Sequence, residues 1–343
     1  MRKKERELEE EREQERELAM KCPYCGNICS PRADFCPKCG EPFDDIRKPE
    51  DAKVIDELEA LLGRSIPYAD KVEADTFGVK VDNDEIIELG LSSCELTTLP
   101  ESFGNMKSLL KVYLNSNPLT TLPESFGNLK SLQTLNLRDN KLIALPESFG
   151  TLKTLKELYL GYNQLTTLPE SFGALQSLQT LNLSYNQLTS LPESFGNLKA
   201  LQSLNLSWNQ LTALPASYGS LESLQSVWLN NNQLTTLPES FGDLKALKKL
   251  YMEGNQLTTL PAPILGLETL QVLGLSYNQI TTLPEAFGAL RSLQTLNLDS
   301  NQLATLPEFF GTLQSLQVLN VDSNQNRISI QIKKIEFQPK PKV

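Results

Sequence analysis

From about residue 86 the apolar positions of this chain fall into one recurring template. Leu178 to Ala200 (LQTLNLSYNQLTSLPESFGNLKA) shows the unit, with leucine at its first, fourth, sixth and eleventh places and an LPxxFGxL segment closing it. Asparagine returns at 117, 140, 163, 186, 209, 232, 255, 278, 301 and 324, and proline at 100, 123, 146, 169, 192, 215, 238, 261, 284 and 307, every step being 23 residues. Two residue types in one unbroken register define eleven units over 86–326, with Cys94 one step before the first asparagine.

The alternation around Leu181 and Leu183 predicts a short strand that turns both leucines inward and faces Thr180, Asn182 and Ser184 outward. Stacked copies predict an α/β solenoid with one parallel sheet on its concave face, on the order of 50 Å long at about 4.8 Å per strand. The asparagine leaves the strand where its amide can pair backbone groups of the turn. Proline suits the first position of a short helix, the following Glu its N-terminus, and Gly after Phe a left-handed exit. The aromatics at 103, 126, 149, 172, 195, 218, 241, 287 and 310 occupy one place in the unit, replaced once by Ile264, and are expected to stack behind the sheet.

The segments before and after the units read differently. Residues 1–20 hold eight Glu against six Arg or Lys and predict a charged helix or tail. Residues 44–50 read as a linker. In 51–63 (DAKVIDELEALLG), Val54, Leu58, Leu61 and Leu62 have helical spacing, with Asp51 as N-cap and Gly63 as stop. Residues 51–85 are expected to cover the open end of the solenoid. In 327–343, alternating Ile328, Ile330 and Ile332 suit a strand capping the last unit.

The net charge of −10 opposes phosphate backbones, which makes nucleic acid an unlikely partner. No window approaches the roughly 18 apolar residues of a membrane helix, and the first twenty residues lack the apolar stretch of a signal peptide, so a cytoplasmic protein without a membrane span is expected. Histidine is absent, and no nucleophile stands with a base. The expectation is a binding protein, monomeric and not an enzyme.

Residues 21–43 contain CPYC at 22–25 and CPKC at 36–39, each followed by glycine. Two such pairs let Cys22, Cys25, Cys36 and Cys39 converge on one Zn at about 2.3 Å per bond. Four thiolates leave no open position for water, so the metal would be structural. Cys29 lies between the pairs as a bystander. The segment resembles a short zinc ribbon, and a nucleic-acid-associated regulator acting through it is the alternative function.

The L-x-x-L-x-L-x-x-N-x-L unit resembles the leucine-rich-repeat superfamily over about 70% of the chain. Its LPxxFGxL form is similar to the class of intracellular Ras-associated scaffolds. The resemblance implies a horseshoe whose concave face binds a protein, with a small-GTPase-pathway protein as one candidate. Comparing the units with each other locates that face. Mid-strand places hold Tyr113, Tyr159, Trp228 and Tyr251, expected to project into water. A second row, Tyr162, Tyr185, Trp208 and Tyr277, precedes the asparagine and would line the rim. Lys111, Arg138, Lys249 and Glu253 give the face mixed charge, suited to a protein.

Overall fold

A computed structural model describes residues 49–307, 310 and 312–324, together with the backbone of β1 (Met20–Lys21) and β2 (Ile28–Cys29), which pair antiparallel. Met20, read from sequence as the end of the charged helix, is thus in a strand. The capping strand expected in 327–343 lies outside the described residues.

The repeats form the architecture their period demands. Helix α1 (Pro49–Leu62) precedes β3 (Phe77–Asp82) and β4 (Glu85–Leu91), which pair antiparallel and begin a twelve-stranded sheet. The three-residue strands that follow are parallel and in chain order: β5 (Lys111–Tyr113), β6 (Thr134–Asn136), β7 (Glu157–Tyr159), β8 (Thr180–Asn182), β9 (Ser203–Asn205), β10 (Ser226–Trp228), β11 (Lys249–Tyr251), β12 (Val272–Gly274), β13 (Thr295–Asn297) and β14 (Val318–Asn320). Each residue pairs with its counterpart one unit on, as Leu181 with Leu204. Leu181 and Leu183 are buried, as the alternation requires.

The asparagines act as a ladder. The Asn186 side-chain amide donates to Leu160 O at 2.9 Å and Leu183 O at 3.0 Å, while its Oδ1 accepts from Leu165 N at 3.0 Å. One carboxamide therefore ties two units through groups that no strand could pair. Cys94 holds the first slot: Asn117 Oδ1 accepts from Cys94 N at 3.0 Å, and the Cys94 thiol donates to Ser92 O at 3.3 Å.

Behind the sheet, LPESFG makes a five-residue 3-10 helix. Proline precedes the helix instead of opening it, at φ −66° and ψ 151° in Pro169, and Phe172 N donates to Pro169 O at 2.9 Å. The glycine after Phe does not leave in a left-handed conformation, contrary to the sequence expectation. Among the described glycines only Gly63, Gly78 and Gly254 have positive φ. Gly150 and Gly173 are small because a Cβ there would lie 2.1 Å from Ser171 O and Ser194 O of the next unit. Gly63 does stop α1 at φ +65°, with its N–H on Glu59 O. Asp51 is not the N-cap: it is buried in the first turn, where Oδ2 accepts from Ile86 N at 3.0 Å and anchors β4.

The aromatic stack is present. Phe126, Phe149, Phe172 and Phe195 follow one another at centroid distances of 6.3 Å. Strands advance only about 4.8 Å per unit. The longer outer step bends the solenoid with its sheet on the inside. Tyr218 interrupts the phenylalanines, and its buried hydroxyl has no hydrogen-bond partner, so burial pushes its pKa upward. Tyr218→Phe is expected to raise unfolding stability by about 1 kcal/mol in urea, since it removes an unpaired polar atom and keeps the ring. A loss of stability would mean the hydroxyl is satisfied.

Candidate functional site

The open face starts at β5, because the segment before β3 covers β4. A Cβ on Gly90 would lie 2.2 Å from Thr76 O, and Glu88 is buried beneath that segment. Glu88 accepts from Val72 N at 3.2 Å and pairs with Lys111 at 2.9 Å. This bond pushes the Lys111 ammonium pKa upward. Lys111, expected to meet a partner, is therefore partly committed to the cap.

Tyr113, Tyr159, Trp228 and Tyr251 point from the sheet but are half-buried, where full projection into water was expected. The reason is lateral packing. Trp228 and Tyr251 stack across β10 and β11 at 5.7 Å, and the Tyr159 hydroxyl donates to Glu157 at 3.4 Å. Burial raises the pKa of the Tyr113 and Tyr159 hydroxyls. Ser184, also expected outward, is buried and donates to Asn182 Oδ1 at 2.7 Å.

The second row is the exposed one. Tyr162, Tyr185, Trp208 and Tyr277 are 42%, 39%, 50% and 69% exposed, which separates them from the inner row. Tyr162 and Tyr185 stack at 4.2 Å, Tyr185 and Trp208 at 5.3 Å, and the Arg138 guanidinium lies 4.9 Å over Tyr162. All four rings stand on left-handed backbone, φ +54° to +59°. Other units fill this place with Ser93, Ser116, Asp139, Asn231, Gly254, Ser300 and Ser323, all smaller residues, of which Asp139, Asn231 and Gly254 are types that tolerate it better. A bulky ring there costs about 1 kcal/mol. Four exposed rings thus stand where the backbone disfavours them.

Lys249 is exposed at the start of β11. Glu253, past its end, is half-buried over Gly274, where a Cβ would lie 1.9 Å from Glu253 Oε1. Its other oxygen, Oε2, is buried without a hydrogen-bond partner, and burial raises the carboxyl pKa. Below the ordinary carboxylate range the group is protonated in both folded and unfolded chains. As pH rises through the folded pKa, ionisation opposes folding. Glu253→Gln is expected to stabilise the protein at neutral pH, on the order of 0.5 kcal/mol. The gain should vanish by about pH 3. Thermal melts at both pH values check this, and a pH-independent difference would exclude ionisation as its cause.

Cys22, Cys25, Cys36 and Cys39 lie outside the described residues. Among the described residues no three His, Cys, Asp or Glu side chains gather as a metal site, and no helix is long and apolar enough to cross a membrane. What sequence reasoning missed is the gap in the outer row at Asn231 and Gly254. Its signal was present: Gly254 alone puts glycine where the other units carry a side chain.

Three family descriptions match this chain: Leucine rich repeat at 155–211 and 261–303, Leucine-rich repeat region at 89–181, and Leucine Rich repeats (2 copies) at 222–264. No curated protein matches it. Among solved structures, a leucine-rich-repeat protein of Leptospira interrogans is 30% identical, covering 73% of this chain and 87% of that one, with TM-score 0.43. The plant peptide hormone receptor RGFR1, in complex with RGF2, is 31% identical over 69% of this chain and 44% of its own, with TM-score 0.58. A chain of the Drosophila Toll–Spatzle complex is 25% identical over 76% of this chain and 36% of its own, with TM-score 0.63. This chain spans less than half the length of the latter two. The unbroken 23-residue register, the asparagine ladder it builds and these family matches agree, and the chain belongs to the leucine-rich-repeat family.

Proposed function

We propose that the array is a non-enzymatic protein-interaction module, an adaptor or scaffold in the cytoplasm that seats a protein partner on the open face of its sheet. The observation that carries this reading is the pair of aromatic rows on one face, the outer row exposed and held on strained backbone. Tyr and Trp dominate interface energetics, and a framework that barely varies beneath variable outward positions is the economy of a binding surface. RGFR1 and the Toll–Spatzle chain, which share this fold, were solved with RGF2 and Spatzle. A small-GTPase-pathway protein is the candidate partner suggested by the LPxxFGxL form. The test is hydrogen exchange on the complex with a partner recovered by affinity purification. Protection should concentrate on the strand residues from 111 to 277, and protection confined to the 3-10 helices behind the sheet would overturn the reading.

The same proposal gives residues 21–43 one structural Zn on Cys22, Cys25, Cys36 and Cys39, supported by the doubled CPxC spacing. Metal binding worth roughly 10 to 16 kcal/mol would supply the folding free energy of so small a segment. Metal analysis of the full chain is expected to find one Zn, lost on changing any of the four to Ser and kept in Cys29→Ser. Retention in Cys22→Ser with loss in Cys29→Ser would overturn the ligand set.

A further inference from the structure

The outer aromatic row is broken once between rings. Tyr162, Tyr185 and Trp208 occupy three successive units, Asn231 and Gly254 the next two, and Tyr277 the one after. In the first three, ring faces are consumed by each other and by Arg138, but Trp208 has no ring beyond it on the side of Asn231. Three strand steps of about 4.8 Å set Trp208 and Tyr277 about 14 Å apart, with room between them for an extended side chain and its backbone. The floor is low. Asn231 is short, with its Oδ1 2.5 Å from where a Cβ on Gly254 would stand, and Gly254 has no side chain.

The chemistry of this slot has one sign. An aromatic face presents the negative part of its quadrupole, and Trp is the strongest such surface for a cation. Glu253, in the same unit as Gly254, is half-buried and leans its carboxylate over Gly274, with Oε1 nearest the place of an added Cβ there. Along the same edge of the sheet, Asp299 and Asp322 follow Glu253, whereas Lys248 and Lys249 stand at the opposite end of the strand. An anion entering here would meet ring faces and carboxylates. An uncharged apolar group would leave Glu253 without a partner.

We propose that the gap between Trp208 and Tyr277 is a subsite for a cationic side chain, arginine or lysine, presented by an extended segment of the protein partner. Its charge is met by Glu253, while the two rings, about 14 Å apart, flank the segment that presents the cation and not the cation itself. This rests on the reading of the open face as the partner-binding surface and adds the class of residue that face selects.

The probe is a random heptapeptide display library selected against the full chain at physiological salt, followed by synthesis of the selected peptides. The chain has only two tryptophans, so in a Trp228→Phe background fluorescence reports Trp208 alone. Selected peptides are expected to be enriched in Arg or Lys, to change Trp208 emission on binding, and to lose at least tenfold in affinity when that cation is replaced by citrulline or norleucine. Glu253→Gln and Tyr277→Ala should each weaken binding by a similar factor while thermal melts show both variants folded. Peptides that bind the inner aromatic row without a cation, with equal affinity for wild type and Glu253→Gln, would overturn the subsite and leave the interaction face standing. Failure to select any peptide whose binding responds to changes on the open face would count against both.

Discussion

Gly173→Ala is expected to destabilise the array by about 3 kcal/mol, at the upper end of overpacking costs, because the residue is buried in its 3-10 helix even though its φ is permitted to alanine. The new methyl carbon would sit 2.1 Å from Ser194 O and 2.7 Å from the carbon bearing it. Both are backbone atoms of the next 3-10 helix, which Ser194 Oγ ties back to Glu170 O at 2.7 Å. Relief would require separating two units that the Phe172–Phe195 stack holds together. Gly242 occupies the same place in its own unit and provides the contrast. Its added carbon would meet Pro263 O at 3.1 Å and nothing closer, because the following unit carries Pro-Ile where others carry Ser-Phe. Gly242→Ala should stay within about 1 kcal/mol of wild type. Urea unfolding of the two variants separates close approach from conformational freedom as the reason for this glycine. Equal losses would refute close approach.

The other large effect concerns recognition. Trp228→Ala and Tyr251→Ala should each weaken a partner that covers the inner row by roughly 2 kcal/mol or more, about thirtyfold, as truncations at the centre of a hot spot do. Because the two rings stack at 5.7 Å and are half-buried, their losses should be non-additive, the double variant binding better than the sum of the single losses implies. Each truncation should also lower stability modestly, since part of the ring is already packed. Glu170→Ala, at the start of a 3-10 helix behind the sheet, should bind as wild type does. Titration calorimetry on the three variants decides the matter. Undiminished binding by Trp228→Ala and Tyr251→Ala would move recognition away from β10 and β11.

The fold was legible because its determinants are periodic. Asparagine and proline at a fixed step specify register, and a register of 23 leaves one way to stack leucines, as the pairing of Leu181 with Leu204 shows. Properties that depend on two units at once were harder to read. Whether Gly173 is small for its own φ or for the backbone of Ser194 cannot be told within one unit, and the contact turned out to lie between units. Asp51 looked like a helix cap because its partner, Ile86 N, is 35 residues away. The candidate face was half legible. Spacing placed eight rings on it, but only the dihedrals show that Tyr162, Tyr185, Trp208 and Tyr277 stand in a left-handed site, and only packing shows that the inner four lie down against their neighbours.

The asparagine ladder has a consequence for inheritance. Asn209-Gln210-Leu211 and Asn232-Gln233-Leu234 are the same three residues in the same bonds, with Asn209 Oδ1 accepting from Leu188 N and Asn232 Oδ1 from Leu211 N, each at 3.0 Å. Excision of 210–232 would rejoin the chain at a junction made of the parent's own atoms, with no apolar seam left open. Trp228 would leave with the segment, and one unit instead of two would then separate Trp208 from Tyr277. Recombination between neighbouring copies thus edits distances on the face without redesigning anything beneath it. In such a gene copy number works as a ruler, and the spacing of its aromatic marks can change in one event that no point mutation could reproduce.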